Sequence, residues 1–404
     1  MRIIVQKFGG TSLINEERRN HAIKKVENAI KNDLKPVIVV SAIGRKGDPY
    51  ATDTLINMVK SVGVDPNLRE LDMLMACGEI VSAVIMANSL KLKGFDSIAF
   101  TGGQSGIITD DNFTDAKILH VDPINVLNSI KRGKIPVICG FQGITEYGEI
   151  TTLGRGGSDV TASILGEALG AELVEIYTDV EGVMTADPKI VPDAKVMDTV
   201  FYNEVFQMAE YGAKVLHPRA VEIVMRSNIP LVIRSTTSDY KGTLITNYDR
   251  SRSYREDIEK LVTSVAYIDN RTQVKILPSP SEFENHEILF DNIAKAGISI
   301  DMINIYPDQI YFIIEEKQSE SLERVLQELN CQYSLLHQCT KVTLIGNRMR
   351  GIPGVMAKAV SALTKENIDI LQTSDSHTTI SCLIEGKHTN RAVNALHKYF
   401  QLGN

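Results

Sequence analysis

The sequence predicts an α/β chain: a mostly parallel sheet sandwiched by helices over residues 1–247, followed by two smaller α+β units of βαββαβ type. Three observations carry this. Up to about residue 245, short apolar runs alternate with longer helical patterns: Ile3 to Val5, Val37 to Val40, Ser97 to Phe100, Pro136 to Cys139, Leu173 to Tyr177 and Leu231 to Ile233. The first run leads into a glycine turn, Lys7-Phe8-Gly9-Gly10-Thr11-Ser12. After Asn247 the pattern shortens, and Ile300-Asp301-Met302 recurs 68 residues later as Ile368-Asp369-Ile370.

The bulk properties narrow the class. The chain has 404 residues, 43% hydrophobic and 23% charged, enough for two or three domains with substantial cores. A net charge of -7 without long charged runs argues against nucleic acid or an anionic membrane as partner and favours a small ligand. Five irregularly spaced cysteines form neither a disulfide framework nor a zinc pattern, which fits a reducing, cytoplasmic setting. The longest apolar runs are of strand length, so neither a membrane span nor a signal peptide is expected.

Along the chain, the glycine turn has the grammar of a phosphate cradle: glycines admit close backbone approach, a helix start offers N–H groups to an anion, and Lys7 supplies charge. It is neither a Walker loop nor a dinucleotide fingerprint. The helix after it carries Ala22, Ile23, Val26, Ala29 and Ile30 on one face. Ser41 to Asp53 is a polar, turn-rich loop. Asp65-Pro66 predicts a helix start, with the helix running to about Leu90; Glu79 sits at the flank of its apolar face and, read alone, is a solvated carboxylate. Thr151 to Asp159 sets Arg155 among three glycines, with Ser158 and Asp159 expected to cap a helix that ends at Gly170. Arginine's fork matches a carboxylate, and the glycine backbone can surround an anion. Tyr177 to Pro188 places aspartates and threonines beyond a strand end, where ribose and phosphate contacts occur in such sheets. Each stretch alone also fits an ordinary loop.

Together, Lys7 to Ser12, Cys77-Gly78-Glu79, Gly140-Phe141-Gln142-Gly143, Thr151 to Asp159, Thr178 to Gly182 with Thr185 to Pro188, and Gly212-Ala213-Lys214 resemble the aspartate kinases of the amino acid kinase family, over the whole chain. The resemblance implies transfer of the γ-phosphoryl group of ATP, with Mg²⁺ held mainly by phosphates and water, to the side-chain carboxylate of L-aspartate. That carboxylate, with a pKa of about 4, is already ionised and needs no general base, so the site must mainly position and neutralise. The family pattern implies Lys7 and Lys214 on the transferring phosphoryl group, with Asp159 orienting them. Phe8, Gly9, Gly10, Thr11, Ser12, Tyr177, Thr178, Asp179, Val183, Met184, Thr185, Ala186, Asp187 and Pro188 fall on the nucleotide side. For the amino acid, it implies Arg155 at the α-carboxylate and Glu79 at the α-ammonium, aided by Ser41, Thr52 and Ser158; no protein metal site is implied. Met184 stands where relatives often carry an aromatic residue, and Lys189 where they often carry arginine. Other kinases of the fold, for glutamate or acetylglutamate, and a non-catalytic amino-acid sensor are the alternatives.

Residues 248–260 read as a linker, and 261–337 and 338–404 resemble paired ACT domains, which sense amino acids and join subunits into homo-oligomers through sheet edges. Gln372 to Thr379 departs from the pattern of lysine- and threonine-responsive relatives and resembles the Bacillus-type, diaminopimelate-responsive branch. The implied effector is meso-diaminopimelate, with lysine or threonine as alternatives, near Asp301, Met302, Asn304, Gln372, Thr373 and Ser374.

Overall fold

A computed structural model describes residues 1–213, 216–247, 261–277, 286–346, 349 and 352–403. The expected linker at 248–260 and Lys214 lie outside these. The chain forms two compact units: the first comprises 1–183, 196–209 and 214–250, the second 184–195, 210–213 and 251–404.

In the first unit, all six expected strands enter one eight-stranded sheet. Its order is Thr199–Phe201, Thr243–Thr246, Leu231–Ser235, Leu173–Thr178, Ile3–Phe8, Lys35–Val40, Ile135–Cys139 and Ser97–Phe100. Pairing is parallel except where Thr243–Thr246 meets Leu231–Ser235. The central strands are buried on both faces, which is why they read as continuous apolar runs rather than alternating ones. The sequence reading missed a second sheet of four short strands, Ile118–Val121, Ile107–Thr109, Gln142–Thr145 and Ile150–Thr152.

The helix Glu16–Lys31 begins at Asn15, whose side chain accepts from Arg18 N at 2.9 Å, so the glycine turn does not itself open a helix; Gly10–Ser12 is a separate single turn. The helix Leu68–Leu92 starts at Asn67 rather than at Asp65-Pro66. Its length and apolar composition would also suit a membrane-spanning helix, a property that a core helix shares. Here one face packs into the core with Met86, Ala87 and Leu90, and it carries the buried acids Asp72 and Glu79.

On the sheet face opposite Lys7 lies a buried polar network. Glu175 accepts from Gln6 Nε2 and from the Tyr177 hydroxyl, both at 2.8 Å, and pairs with Arg234, whose guanidinium lies 5.4 Å from the Tyr177 ring centre.

The second unit has one six-stranded antiparallel sheet in the order Asp301–Tyr306, Gln309–Glu315, Val262–Leu277, Gln332–Gly346, Thr379–Glu385, Gln372–Asp375. Its two long strands each serve both modules. Val274 and Ile276 pack with the helices His286–Lys295 and Ser319–Glu328. Val262, Val265, Val342 and Leu344 pack with Val355–Lys365 and Thr389–Tyr399. The first βαββαβ module is thus contiguous, while the second takes its closing strand, 262–268, from before the first. The boundary expected after residue 337 falls inside a strand, and residues 262–268, expected in the first module, pack in the second.

Truncating one partner of a buried ion pair leaves the other charge uncompensated. Arg234→Leu is expected to lower stability by about 3 kcal/mol, read as a lower urea midpoint in circular dichroism; an unchanged midpoint would show that Gln6 and Tyr177 suffice for Glu175.

Candidate active site

In the first unit, the loops after Ile3–Phe8, Lys35–Val40 and Ile135–Cys139 border a cavity of about 780 Å³. It is lined by Lys7, Ser41, Thr52, Glu79, Arg155, Ser158 and Asp159, the whole expected amino-acid-side set together with two of the three expected catalytic residues. Gly10 lines it too; a Cβ there would lie 2.2 Å from Ala42 O, so glycine is what lets the two loops meet.

Lys7 points from its strand to Asp159, with Nζ 2.7 Å from Oδ1 and both side chains largely buried. Asp159 stands in the first turn of the helix Gly157–Leu169. The cap is Gly156 in left-handed conformation, not Ser158 or Asp159, which instead project from the first turn. Gly154 and Gly156 both have φ of +70°, so the exposed Arg155 sits on a turn open to glycine and strained for other residues. Two anchors hold this turn. Buried Asp72 accepts from Thr114 N, Thr152 N and Thr152 Oγ1 at 2.9, 2.8 and 2.7 Å. Arg219 donates to Leu153 O and Asp115 Oδ1, both at 3.1 Å.

Glu79 is 2% exposed, not the solvated carboxylate it resembles in sequence. Oε1 accepts from Ala42 N at 2.9 Å; Oε2 has no protein partner although it is buried. Burial pushes its pKa from 4.5 up to about 8, against the smaller opposing effect of the Ala42 N–H, so the free carboxyl is neutral at pH 7. Glu79 thus borders the cavity as a neutral acid, one oxygen of which has no protein partner.

On the nucleotide side, Thr178 and Asp179 follow a strand end; Thr178 Oγ1 donates to Asp179 Oδ1 at 3.1 Å, and Asp179 pairs with Arg45. Arg45 also lines the cavity, a contribution the sequence reading left inside a polar loop. Three expected contacts are turned away. Phe8 and Tyr177 are buried and stacked, with ring centres 4.7 Å apart, and Ser12 Oγ is bonded to Thr236 Oγ1 at 2.6 Å. Their side chains set the position of Gly9 and Gly10; Gly9 N donates to Tyr177 O at 3.2 Å. Val183 is buried, its N–H held by Thr243 Oγ1 at 2.8 Å.

Residues 184–188 belong to the second unit. Thr185 Oγ1 bonds His397 Nε2 at 2.9 Å, Ala186 lies in a core with Val262 and Leu402, and Asp187 Oδ2 accepts from the Tyr267 hydroxyl at 3.2 Å. Among the described residues no three His, Cys, Asp or Glu side chains gather to hold a metal.

The effector residues divide into two groups. Gln372 Nε2 donates to Met302 O and, at 2.7 Å, to Asn304 Oδ1; Asp301 Oδ2 lies 2.5 Å from Lys341 Nζ. Thr373 and Ser374 instead line a separate cavity of about 340 Å³ with Val355, Asp375 and Ser376.

Residues 2–235 match the amino acid kinase family and residues 335–398 the ACT domain. The chain is 42% identical to aspartokinase 1 of Bacillus subtilis over 402 residues, covering all of both chains. Its structure is similar to that of E. coli aspartokinase III in complex with aspartate and ADP (TM-score 0.81, 24% identity, 98% of this chain and 99% of that one). It is also similar to the same enzyme in complex with lysine and aspartate (TM-score 0.74, 25% identity, 98% and 99%).

The burial of Glu79 has a measurable sign. In the free protein its ¹³C carboxyl resonance should titrate near pH 8, neutral below and ionised above, and vanish in Glu79→Gln. Because the folded value exceeds the unfolded one, its contribution to stability is full below about pH 4.5 and is lost as pH rises through about 8. A midpoint near 4.5 would mean that the carboxylate is solvated.

Proposed function

The chain belongs to the amino acid kinase family, in its aspartokinase branch, and on that basis we propose that the cavity between Lys7, Glu79 and Arg155 holds L-aspartate while its side-chain carboxylate takes the γ-phosphoryl group of ATP. The products are 4-phospho-L-aspartate and ADP, the opening step toward lysine, diaminopimelate, threonine and methionine. The observation that carries the assignment of residues is the gathering of Lys7, Arg155 and a buried, half-bonded Glu79 in one cavity. An amino acid offers one ammonium and one α-carboxylate, and Glu79 and Arg155 are their chemical complements.

Glu79 takes the α-ammonium and ionises as it does so, releasing a proton when binding occurs below about pH 8. Arg155 forks the α-carboxylate; Ser41, Thr52 and Ser158 supply hydroxyls. Lys7, steered by Asp159, lies against the transferring oxygens, with Lys214 as the second cation, so that repulsion between two anions is lowered. The backbone at Gly9, Gly10 and Thr11 cradles phosphate, and Thr178 and Asp179 face the nucleotide. Mg²⁺ arrives with the nucleotide, held by its phosphates and water.

The second unit, with its ACT domain, serves feedback control by an amino acid. We assign meso-diaminopimelate as that effector, supported by the divergent segment from Gln372 to Thr379. Asp301–Tyr306 and Gln372–Asp375 are the sheet's edge strands, and pairing such an edge with a second copy makes a homo-oligomer. The setting is cytoplasmic.

Acyl phosphate trapped as the hydroxamate should form with aspartate and ATP and not with glutamate; equal signal from both would reject the acceptor. Lys7→Ala should lower kcat by a factor on the order of 10² to 10³ with aspartate binding retained. Arg155→Ala should chiefly raise KM for aspartate, and wild-type kinetics in either variant would remove its role. Inhibition assays should show diaminopimelate acting more strongly than lysine; inhibition by lysine alone would exclude the assigned effector.

A further inference from the structure

Thr114 lines the cavity between Lys7, Glu79 and Arg155, yet no motif in the sequence singles it out. Its backbone is unusual. With φ of +72° it lies in the left-handed region, where a β-branched residue is crowded against its own backbone and glycine is the ordinary choice. Phe141, Gly154 and Gly156 line the same cavity with φ of +70°, and none of them is β-branched. A residue so placed persists only where its surroundings hold it, and here they do so from both sides. Fully buried Asp72 accepts from Thr114 N at 2.9 Å while also taking Thr152 N and Oγ1. On the other side, Arg219 donates to Asp115 Oδ1 at 3.1 Å and to Ala116 O at 3.3 Å, and Ala116 N donates to Thr152 O at 2.9 Å.

Residues 114–116 are thereby fastened to the strand Ile150–Thr152, which leads into the turn that carries Arg155. The two turns touch: a Cβ on Gly154 would lie 3.3 Å from Thr114 O and 2.6 Å from Asp115 Oδ1. A connection that only had to link Ile107–Thr109 to Ile118–Val121 would be met with less strain by glycine. What threonine adds is a hydroxyl. Thr114 is half-buried, its N–H goes to Asp72, and among the described residues its hydroxyl has no partner. Next to the Arg155 turn, that hydroxyl is one more donor for the anion that an arginine fork attracts.

We propose that Thr114 is a further substrate-binding residue, its hydroxyl donating to the α-carboxylate that Arg155 forks, and that Asp72 is the positioning residue that holds it there. This rests on the aspartate site proposed above. Asp72 touches no substrate atom; it acts through the Thr114 backbone, and the strain at Thr114 is the consequence of presenting a hydroxyl, and not merely a turn, at that point.

Urea unfolding and steady-state kinetics of the full chain test it, because stability and substrate binding should move in different directions. Thr114→Gly should leave the urea midpoint unchanged or higher, since glycine accepts the left-handed backbone. The same variant should raise KM for aspartate about tenfold, as loss of one hydrogen bond to a charged group does, with kcat and KM for ATP changed less than about twofold. Thr114→Ser, which keeps the hydroxyl, should recover most of the affinity. Asp72→Leu should raise KM for aspartate as Thr114→Gly does. Asp72→Asn, whose carbonyl oxygen can take both N–H groups while its amide turns to the Thr152 hydroxyl, should recover most of it. A wild-type KM for aspartate in Thr114→Gly overturns the proposal, as does a rise in KM for ATP instead, or a Thr114→Ser that loses as much as Thr114→Gly. A folded Asp72→Leu with wild-type KM overturns the part given to Asp72; if that variant does not fold, an Asp72→Asn that loses as much as Thr114→Gly does so. A wild-type chain that yields no hydroxamate from aspartate rejects the functional reading itself, whereas an active wild type with an unaffected Thr114→Gly rejects only the added contact.

Discussion

Lys7 and Asp159 meet at 2.7 Å from two different elements, the central strand of the parallel sheet and the first turn of the helix that crosses it. The pairing constrains much around it. For the strand to bring Lys7 there, the turn after it must come within glycine distance of Ala42 O, and for the helix to bring Asp159, Gly140 must leave room for Ser158, whose Cβ would lie 2.8 Å from a side chain at that position. Two largely buried opposite charges in such a place compensate each other. A lysine ammonium that meets one carboxylate oxygen still has donors left, and on the proposed role those are what an incoming phosphoryl group would use.

The opposite face of the same sheet carries the second polar system, built from Gln6, Glu175, Tyr177 and Arg234. Alternation along Ile3–Phe8 separates the two: Lys7 faces one side, Gln6 and Phe8 the other. Phe8 and Tyr177 stack at the edge of the buried network, and that stack underlies the backbone at Gly9. The packed face thus fixes the height of the glycine turn while the other face presents Lys7 to the cavity. This explains why Phe8, Tyr177 and Ser12 belong to the motif yet turn their side chains away from the cavity.

What the sequence disclosed depends on the range of the interaction. Strands buried on both faces and the glycine turns were legible because each is signalled within a few residues, whereas the grouping of Lys7 with Arg155, Ser158 and Asp159 came only through the family resemblance. The burial of Glu79 was not, since a helix flank reads as solvated until the loop at Ala42 closes over it. Nor was the passage of 262–268 into the second module: the strand has an ordinary apolar pattern, and only pairing with residues about 75 positions later reveals its place. The same holds for 184–188, where Thr185 and Asp187 read as nucleotide contacts. Thr185 is bonded to His397 more than 200 residues away, a distance no local pattern encodes.

The charge state of the cavity follows from these placements. With Lys7 paired to Asp159 and Glu79 neutral, Arg155 is left uncompensated, and because Arg45, Lys46 and Lys60 outnumber Asp53 among the other charged lining residues, the cavity lining carries a positive excess. Aspartate, with two carboxylates and one ammonium, brings one negative charge, so entry is favoured by the sum as well as by the individual contacts. Had Glu79 been ionised beforehand, that excess would be smaller, and a buried carboxylate would carry its charge at high desolvation cost. Keeping it protonated until an ammonium arrives avoids both costs. In the proposed binding mode the ammonium creates the charge that binds it, and a ligand with two carboxylates but no ammonium would find at Glu79 only a neutral acid. On that binding mode, selection for an amino acid over a simple dicarboxylic acid would lie in the burial of Glu79, a property of the loop at Ala42 as much as of Glu79 itself.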